Sequence, residues 1–182
     1  MRIERIELRV LTLPLVRHFE TSFGRVHDRT FLLTRLDGEG VSGMGECVAD
    51  DHPYYSSGTV ETAWHVIEQF LAPMVLGVDF AHPREVFPAM SRARGHHMAK
   101  AALEMAAWDL FARQRNEPLH RVLGGERTDI EAGVSIGIQD SLGELTDRVA
   151  SELADGYRRI KIKVKPGWDV EAVEAIRTTL GD

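Results

Sequence analysis

A chain of 182 residues, 43% of them hydrophobic and with a formal net charge of −6, can bury a sizeable core and carries no basic stretch suited to nucleic acid. Its single cysteine, Cys47, excludes a disulfide framework and a cysteine-based zinc site. The opening MRIERIELRVLTLPL alternates instead of forming an apolar block, so it reads as neither a signal peptide nor a membrane span and predicts a cytoplasmic protein.

Residues 3–13 read as a strand, and VRHFETSFGRVHD as a loop around Gly24. RTFLLTRLDGEGVSGMGECVA predicts a hairpin turning at Asp37-Gly38-Glu39-Gly40. A second loop, DDHPYYSSG, leads to a helix opening near Thr59 and running to about Leu71. The clearest helix is Met98 to about Arg115, where Met98, Ala102, Met105, Trp108 and Leu110-Phe111 recur at helical spacing. After Gly124-Gly125 the texture changes. IEAGVSIGI and RRIKIKVK read as strands, SLGELTDRVASELADG and WDVEAVEAIRTTLG as helices. The predicted organisation is an α+β domain over 1–128, followed over 129–182 by two βα units, which cannot bury a sheet by themselves.

The stretch Ile160-Lys161-Ile162-Lys163-Val164-Lys165 poses the chemical question. Strands between helices are usually apolar on both faces, yet this one places lysines on one side. In a βα barrel, Ile160, Ile162 and Val164 would meet the helices and Lys161 and Lys163 would point inward near the catalytic end. Paired cations in a partly dry site lower an ammonium's pKa towards the range of a useful base. The competing reading is the solvated face of an edge strand, the commoner origin of such a pattern.

Other polar groups point to less. His96-His97 diverge on a helix and make a poor metal pair. Asp50-Asp51-His52, followed by Pro53, reads as a loop turn. Glu104 and Asp109 read as the polar stripe of the long helix.

Taken in order, HFETSFG, GMGECVADDHPYYSS, MAKAALEMAAWDL, PLHRVLGG, GVSIGIQDS and GYRRIKIKVKPGWD resemble the enolase superfamily. Within its muconate-lactonizing subgroup they are most similar to the o-succinylbenzoate synthase/N-acylamino acid racemase family. The resemblance implies an α+β capping domain followed by the first two βα units of a TIM-like (β/α)₇β barrel, incomplete in this chain. It implies Mg²⁺-assisted removal of the proton α to a carboxylate through an enediolate, the general mechanism of such sites. The substrate would be a small carboxylate, in the synthase case on the way to menaquinone, and the protein a homo-oligomer.

Carried over by position, Lys163 matches the second lysine of the family's Lys-x-Lys motif, the acid/base, and Lys161 the first, beside the carboxylate. Ser135 resembles a substrate-pocket residue. Phe19, Phe23 and Tyr55 resemble the apolar lid, although Phe19 and Phe23 are equally readable as loop anchors, Tyr54 competes with Tyr55, and Ser135 could satisfy local backbone.

The family's carboxylate Mg²⁺ ligands come from the third to fifth barrel strands and its second catalytic lysine from the sixth. The expectation is therefore that metal ligands lie downstream of residue 182, that the chain is the N-terminal half of a longer enzyme, and that alone it is inactive. Muconate cycloisomerase and dipeptide epimerase are the nearest alternatives. A non-catalytic association module is the alternative of another class.

Overall fold

A computed structural model describes residues 1–181. Three antiparallel-type strands open the chain: β1 (Arg5–Thr21), β2 (Gly24–Gly38) and β3 (Val41–Cys47), in the sheet order β1-β2-β3. Strand β2 pairs antiparallel with β3 from Leu32↔Cys47 to Gly38↔Val41. The intervening Glu39 and Gly40 have φ of 54° and 78°, the left-handed pair that a two-residue hairpin turn requires. Helix α1 (Val60–Val66) begins at Thr59, whose hydroxyl accepts from the Thr62 N–H while the Thr62 side chain answers the Thr59 N–H, a reciprocal cap. A π turn at Ile67–Leu71 joins α1 to α2 (Ala72–Val75). Short α3 (Val86–Ala89), long α4 (His97–Gln114) and α5 (Leu119–Val122) follow.

The chain divides into two compact units. The first comprises Met1–Leu13 and Thr30–Glu126; the second comprises Pro14–Arg29 and the residues from Arg127 onward.

In the first unit the core gathers Ile3, Leu32, Leu36, Ile67, Leu71, Val75, Leu103 and Leu110, all fully buried. Helix α4 lies on β3 with almost nothing between them. A Cβ on Gly43 would fall 2.2 Å from the Ala106 carbonyl oxygen, and one on Gly45 2.1 Å from that of Ala102. Such an approach needs bare backbone on the strand and small residues on the helix, so Ala99, Ala102, Ala106 and Ala107 form the buried face with Leu103 and Leu110. Of the residues recurring at helical spacing, Ala102 and Leu110 lie on this face, whereas Met105 is 44% exposed and Trp108 is only half-buried. Close packing selects for size as well as hydrophobicity.

In the second unit β4 (Gly133–Ile136) and β5 (Arg159–Ile162) pair in parallel, Ser135 opposite Lys161. Helix α6 (Leu142–Ala154) starts at Ser141, whose hydroxyl accepts from the Glu144 N–H, and α7 (Asp169–Leu180) closes the described chain. Ile136, Leu145, Val149 and Ala172 form its core, with Ile160, Ile162, Trp168 and Ile176 packed against them.

The stretch expected to be a loop is the distal end of the β1–β2 hairpin instead, turning at Ser22 and Phe23 between Thr21 and Gly24. Its period of two was hidden because polar residues occupy both faces: on one, Glu20 meets Arg25 and His18 lies 5.9 Å from His27 between ring centroids, and on the other Arg17 and Thr21 flank Phe19. No described helix is long and apolar enough to cross a membrane.

Candidate active site

Strand alternation sorts β5 into two faces. Ile160 and Ile162 turn to the helices and the core, which leaves Lys161 on the opposite face beside Ser135. Lys163 follows the last strand residue but extends the ladder, its N–H donating to the Ile136 carbonyl at 2.9 Å. Lys161 and Ser135 are exposed and Lys163 is half-buried. Among the described residues no carboxylate lies within ion-pairing distance of Lys161 or Lys163; Lys165 does have one, Glu20 at 3.0 Å.

Two residues beyond Ser135, Gly137 is buried. A Cβ there would meet Glu20 N at 3.0 Å and Phe19 Cδ2 at 3.2 Å. Phe19, half-buried, is therefore brought to the end of the lysine-bearing face, together with Ser135, Lys161 and Lys163 in one unit. Phe23, at the hairpin turn of the same unit, is 65% exposed. Tyr55 is 76% exposed and belongs to the first unit, as does Tyr54 at 74%.

The sequence reading had no place for the polar groups around Phe19. Glu20 accepts from Arg25 at 2.6 Å and from Lys165 at 3.0 Å, and Arg25 also pairs with Asp140. The Lys165 hydrogen bond is the foremost cause holding the Glu20 carboxyl below the usual glutamate range, Arg25 the next favourable one. The Arg25 hydrogen bond does the same for Asp140. In turn Asp140, and then Glu20, raise the Arg25 pKa. Glu20 and Lys165 are 145 residues apart, so no local pattern could pair them. Glu20 and Arg25, however, are the residues that a two-residue turn at Ser22-Phe23 would set opposite each other.

His18, Glu20 and Asp140 each offer a ligand atom within 4.8 Å of the others, and His18 Nε2 is buried without a hydrogen-bond partner. The set does not suit Mg²⁺, which favours carboxylates and water in an octahedron. Here the carboxylates already face two cations, and the third donor is an imidazole. The lysine face, lined by ammonium groups, offers a divalent ion no ligand either. Among the described residues there is thus no arrangement fitted to Mg²⁺.

The first unit holds an open, mostly apolar groove of about 710 Å³ between β3 and α4–α5, lined by Met44, Met105, Trp108 and Leu123 with Glu46 and Glu104 at its edge. None of the expected site residues lines it. Nearby, Asp109 accepts from the Met44 N–H at 2.8 Å and from Arg113 at 2.9 Å, a role tying helix to strand that its place in a helical polar stripe did not reveal.

The family model described as mandelate racemase / muconate lactonizing enzyme, N-terminal domain, matches residues 5–124. The N-succinylamino acid racemase of Thermus thermophilus is 50% identical over 177 residues, 97% of this chain and 48% of that protein. The o-succinylbenzoate synthase of Geobacillus stearothermophilus is 45% identical over 183 aligned positions, 100% of this chain and 49% of that one. The crystal structure of an enolase-superfamily member from Listeria innocua superposes with a TM-score of 0.90 at 34% identity, covering 98% of this chain and 48% of that one. The chain spans about half the length of the curated relatives it matches.

Proposed function

The chain belongs to the mandelate racemase / muconate lactonizing enzyme family of the enolase superfamily, and from that premise we propose that the whole protein removes the proton α to a carboxylate, as an o-succinylbenzoate synthase, an N-acylamino acid racemase, or both. The observation that carries the reading is the placing of Ser135, Lys161 and Lys163 on one face of a parallel strand pair. In this reading residues 1–128 are the capping domain and 129–182 the start of the barrel. The protein is cytoplasmic and homo-oligomeric.

Mg²⁺ is the metal this chemistry calls for: when bound it would stabilise the charge of the enediolate. Because the described residues do not fit it, no step is assigned to it here. The chain's own groups do the following. The Lys163 amine takes the α-proton on one side of the substrate carbon; as the ammonium it gives a proton to the departing hydroxyl in a dehydration, whereas racemisation needs a second group to deliver a proton on the opposite side. Lys161 stays charged beside the carboxylate and favours the developing negative charge. The Ser135 hydroxyl donates a hydrogen bond to substrate. Phe19 and Phe23, in the same unit as the lysines, cover its acyl or aryl portion and limit water.

The test is Lys163→Ala in the intact gene product supplied with Mg²⁺, assayed for o-succinylbenzoate formation and N-succinylamino acid racemisation. General acid–base groups contribute about 10²–10⁴-fold, so kcat should fall by at least about 100-fold in whichever assay the wild type supports. A variant within about tenfold of wild type sinks the assignment of Lys163. Activity confined to muconate or dipeptide substrates would move the protein to a cycloisomerase or an epimerase of the same family.

A further inference from the structure

The proton-transfer reading leaves the charged end of the β1–β2 hairpin unused, and that end converges on one side chain. Glu20 is only 13% exposed there, against 36% for Arg25 and 45% for Lys165. One carboxylate oxygen takes Lys165 at 3.0 Å and the other takes Arg25 at 2.6 Å. Arg25 continues to Asp140, in the segment that follows β4. The backbone joins in: the Glu20 carbonyl accepts from the Ile138 N–H at 3.0 Å. Glu20 thereby touches the segments leaving both β4 and β5.

The tip itself buries little side-chain surface: Ser22, Gly24, Val26, His27 and Asp28 are all exposed. With so little apolar area buried, hydrophobic burial at about 25 cal/mol per Å² has small purchase. Exposed ion pairs are weak, but a largely buried carboxylate with two charged donors is the stronger kind of polar contact. Segments with few buried contacts open at low free-energy cost, so a gripped carboxylate weighs heavily in where this one rests.

We propose that Glu20 is a positioning residue: gripped by Lys165 and Arg25, it seats the hairpin tip on the segments following β4 and β5 and so holds Phe19 at the Lys161–Lys163 face. The inference rests on the reading of that face as the substrate site. Glu20 touches no reacting atom. It acts through Phe19, which neighbours it in sequence and lies against Gly137.

The experiment compares wild type, Glu20→Gln and Glu20→Asp in the intact gene product. Amide hydrogen exchange is followed at Ile138, with α4 amides as the control for global opening. The same preparations are assayed for N-succinylphenylalanine racemisation and o-succinylbenzoate formation with Mg²⁺. Glu20→Gln keeps the shape and removes the charge. It should speed exchange at Ile138 by about tenfold or more, with α4 unchanged. It should raise KM about tenfold and leave kcat within about twofold, the signature of lost binding and not lost chemistry. Glu20→Asp should recover part of both.

Unchanged Ile138 exchange in Glu20→Gln overturns the grip. A fall in kcat at constant KM overturns the positioning role. A wild type inert in both assays overturns the functional reading and the role of Phe19 with it, and Ile138 exchange then decides the grip by itself. Should Glu20→Gln not fold, Lys165→Gln and Arg25→Ala each remove one arm, and each must speed Ile138 exchange for the proposal to stand.

Discussion

The Glu20 carboxyl faces Lys165 and Arg25 directly, with Asp140 and His18 close by, and its pKa is lowered chiefly by the Lys165 hydrogen bond. A carboxylate whose folded-state pKa is depressed contributes stability above its unfolded pKa and loses it as pH falls through the folded value. The Glu20 side-chain carboxyl, followed by carbon NMR, should therefore titrate below the ordinary glutamate range. In Lys165→Gln its midpoint should move up towards that range. A Glu20 midpoint within the ordinary range in wild type would contradict the arrangement. Lys161 and Lys163 stand out in the sequence because one strand's alternation sets them on a common face, whereas Ser135, on the neighbouring strand β4, is singled out only by the resemblance to the family. Glu20 was not, because its partner Lys165 is reached only through the fold. The same holds for Asp109, whose bond to the Met44 N–H spans 65 residues.

At the level of elements, the β3–α4 contact governs the first unit. Gly43 and Gly45 admit the helix backbone itself, so even a methyl group has nowhere to go. Gly45→Ala should destabilise the protein by about 3 kcal/mol or more, at the upper end of overpacking costs; chemical denaturation measures it, and a loss under about 1 kcal/mol would mean the helix can slide away. Gly40→Ala meets no neighbour within 4 Å, and its cost should come only from the φ of 78°. The ends of α4 were readable to within a residue or so, since alanine-rich periodicity delimits it. Its buried face was legible only in part: Ala102 and Leu110 lie on it and Met105 does not, because the close approach of β3 selects small residues at the contact. The strand β5 was read as far as Lys165 but ends at Ile162, with one further ladder bond from the Lys163 N–H to the Ile136 carbonyl, since alternation in a sequence continues past the end of the pairing. The hairpin tip was missed for the opposite reason: it is paired, but with no apolar face to betray the period.

The whole molecule is two units that do not follow the chain in order. A change in texture near residue 128 marks where βα units begin. It cannot assign Pro14–Arg29, which join the residues from Arg127 onward through contacts such as Glu20 with Lys165 and Ile138. Strand pattern tells which side of a segment is buried, not against what. The resemblance to a family was legible because motifs along the whole chain kept their order, and it agrees with the match over residues 5–124. One consequence concerns arrival, before any proton moves. The chain is net negative, at −6, and would repel a carboxylate from most directions. Lys161 and Lys163, with no carboxylate within ion-pairing distance among the described residues, make a local exception. A small anion diffusing nearby would be drawn to that face, and the more so the less salt there is, since the screening length shrinks from about 30 Å at 0.01 M to about 8 Å at 0.15 M. In the whole protein, kcat/KM for a doubly charged N-succinylamino acid should therefore fall as ionic strength rises, and fall less steeply in Lys161→Gln. A slope that ignores the substitution would mean the approach is steered from elsewhere. A flattened slope would make the pair of ammonium groups a landing light as well as a tool.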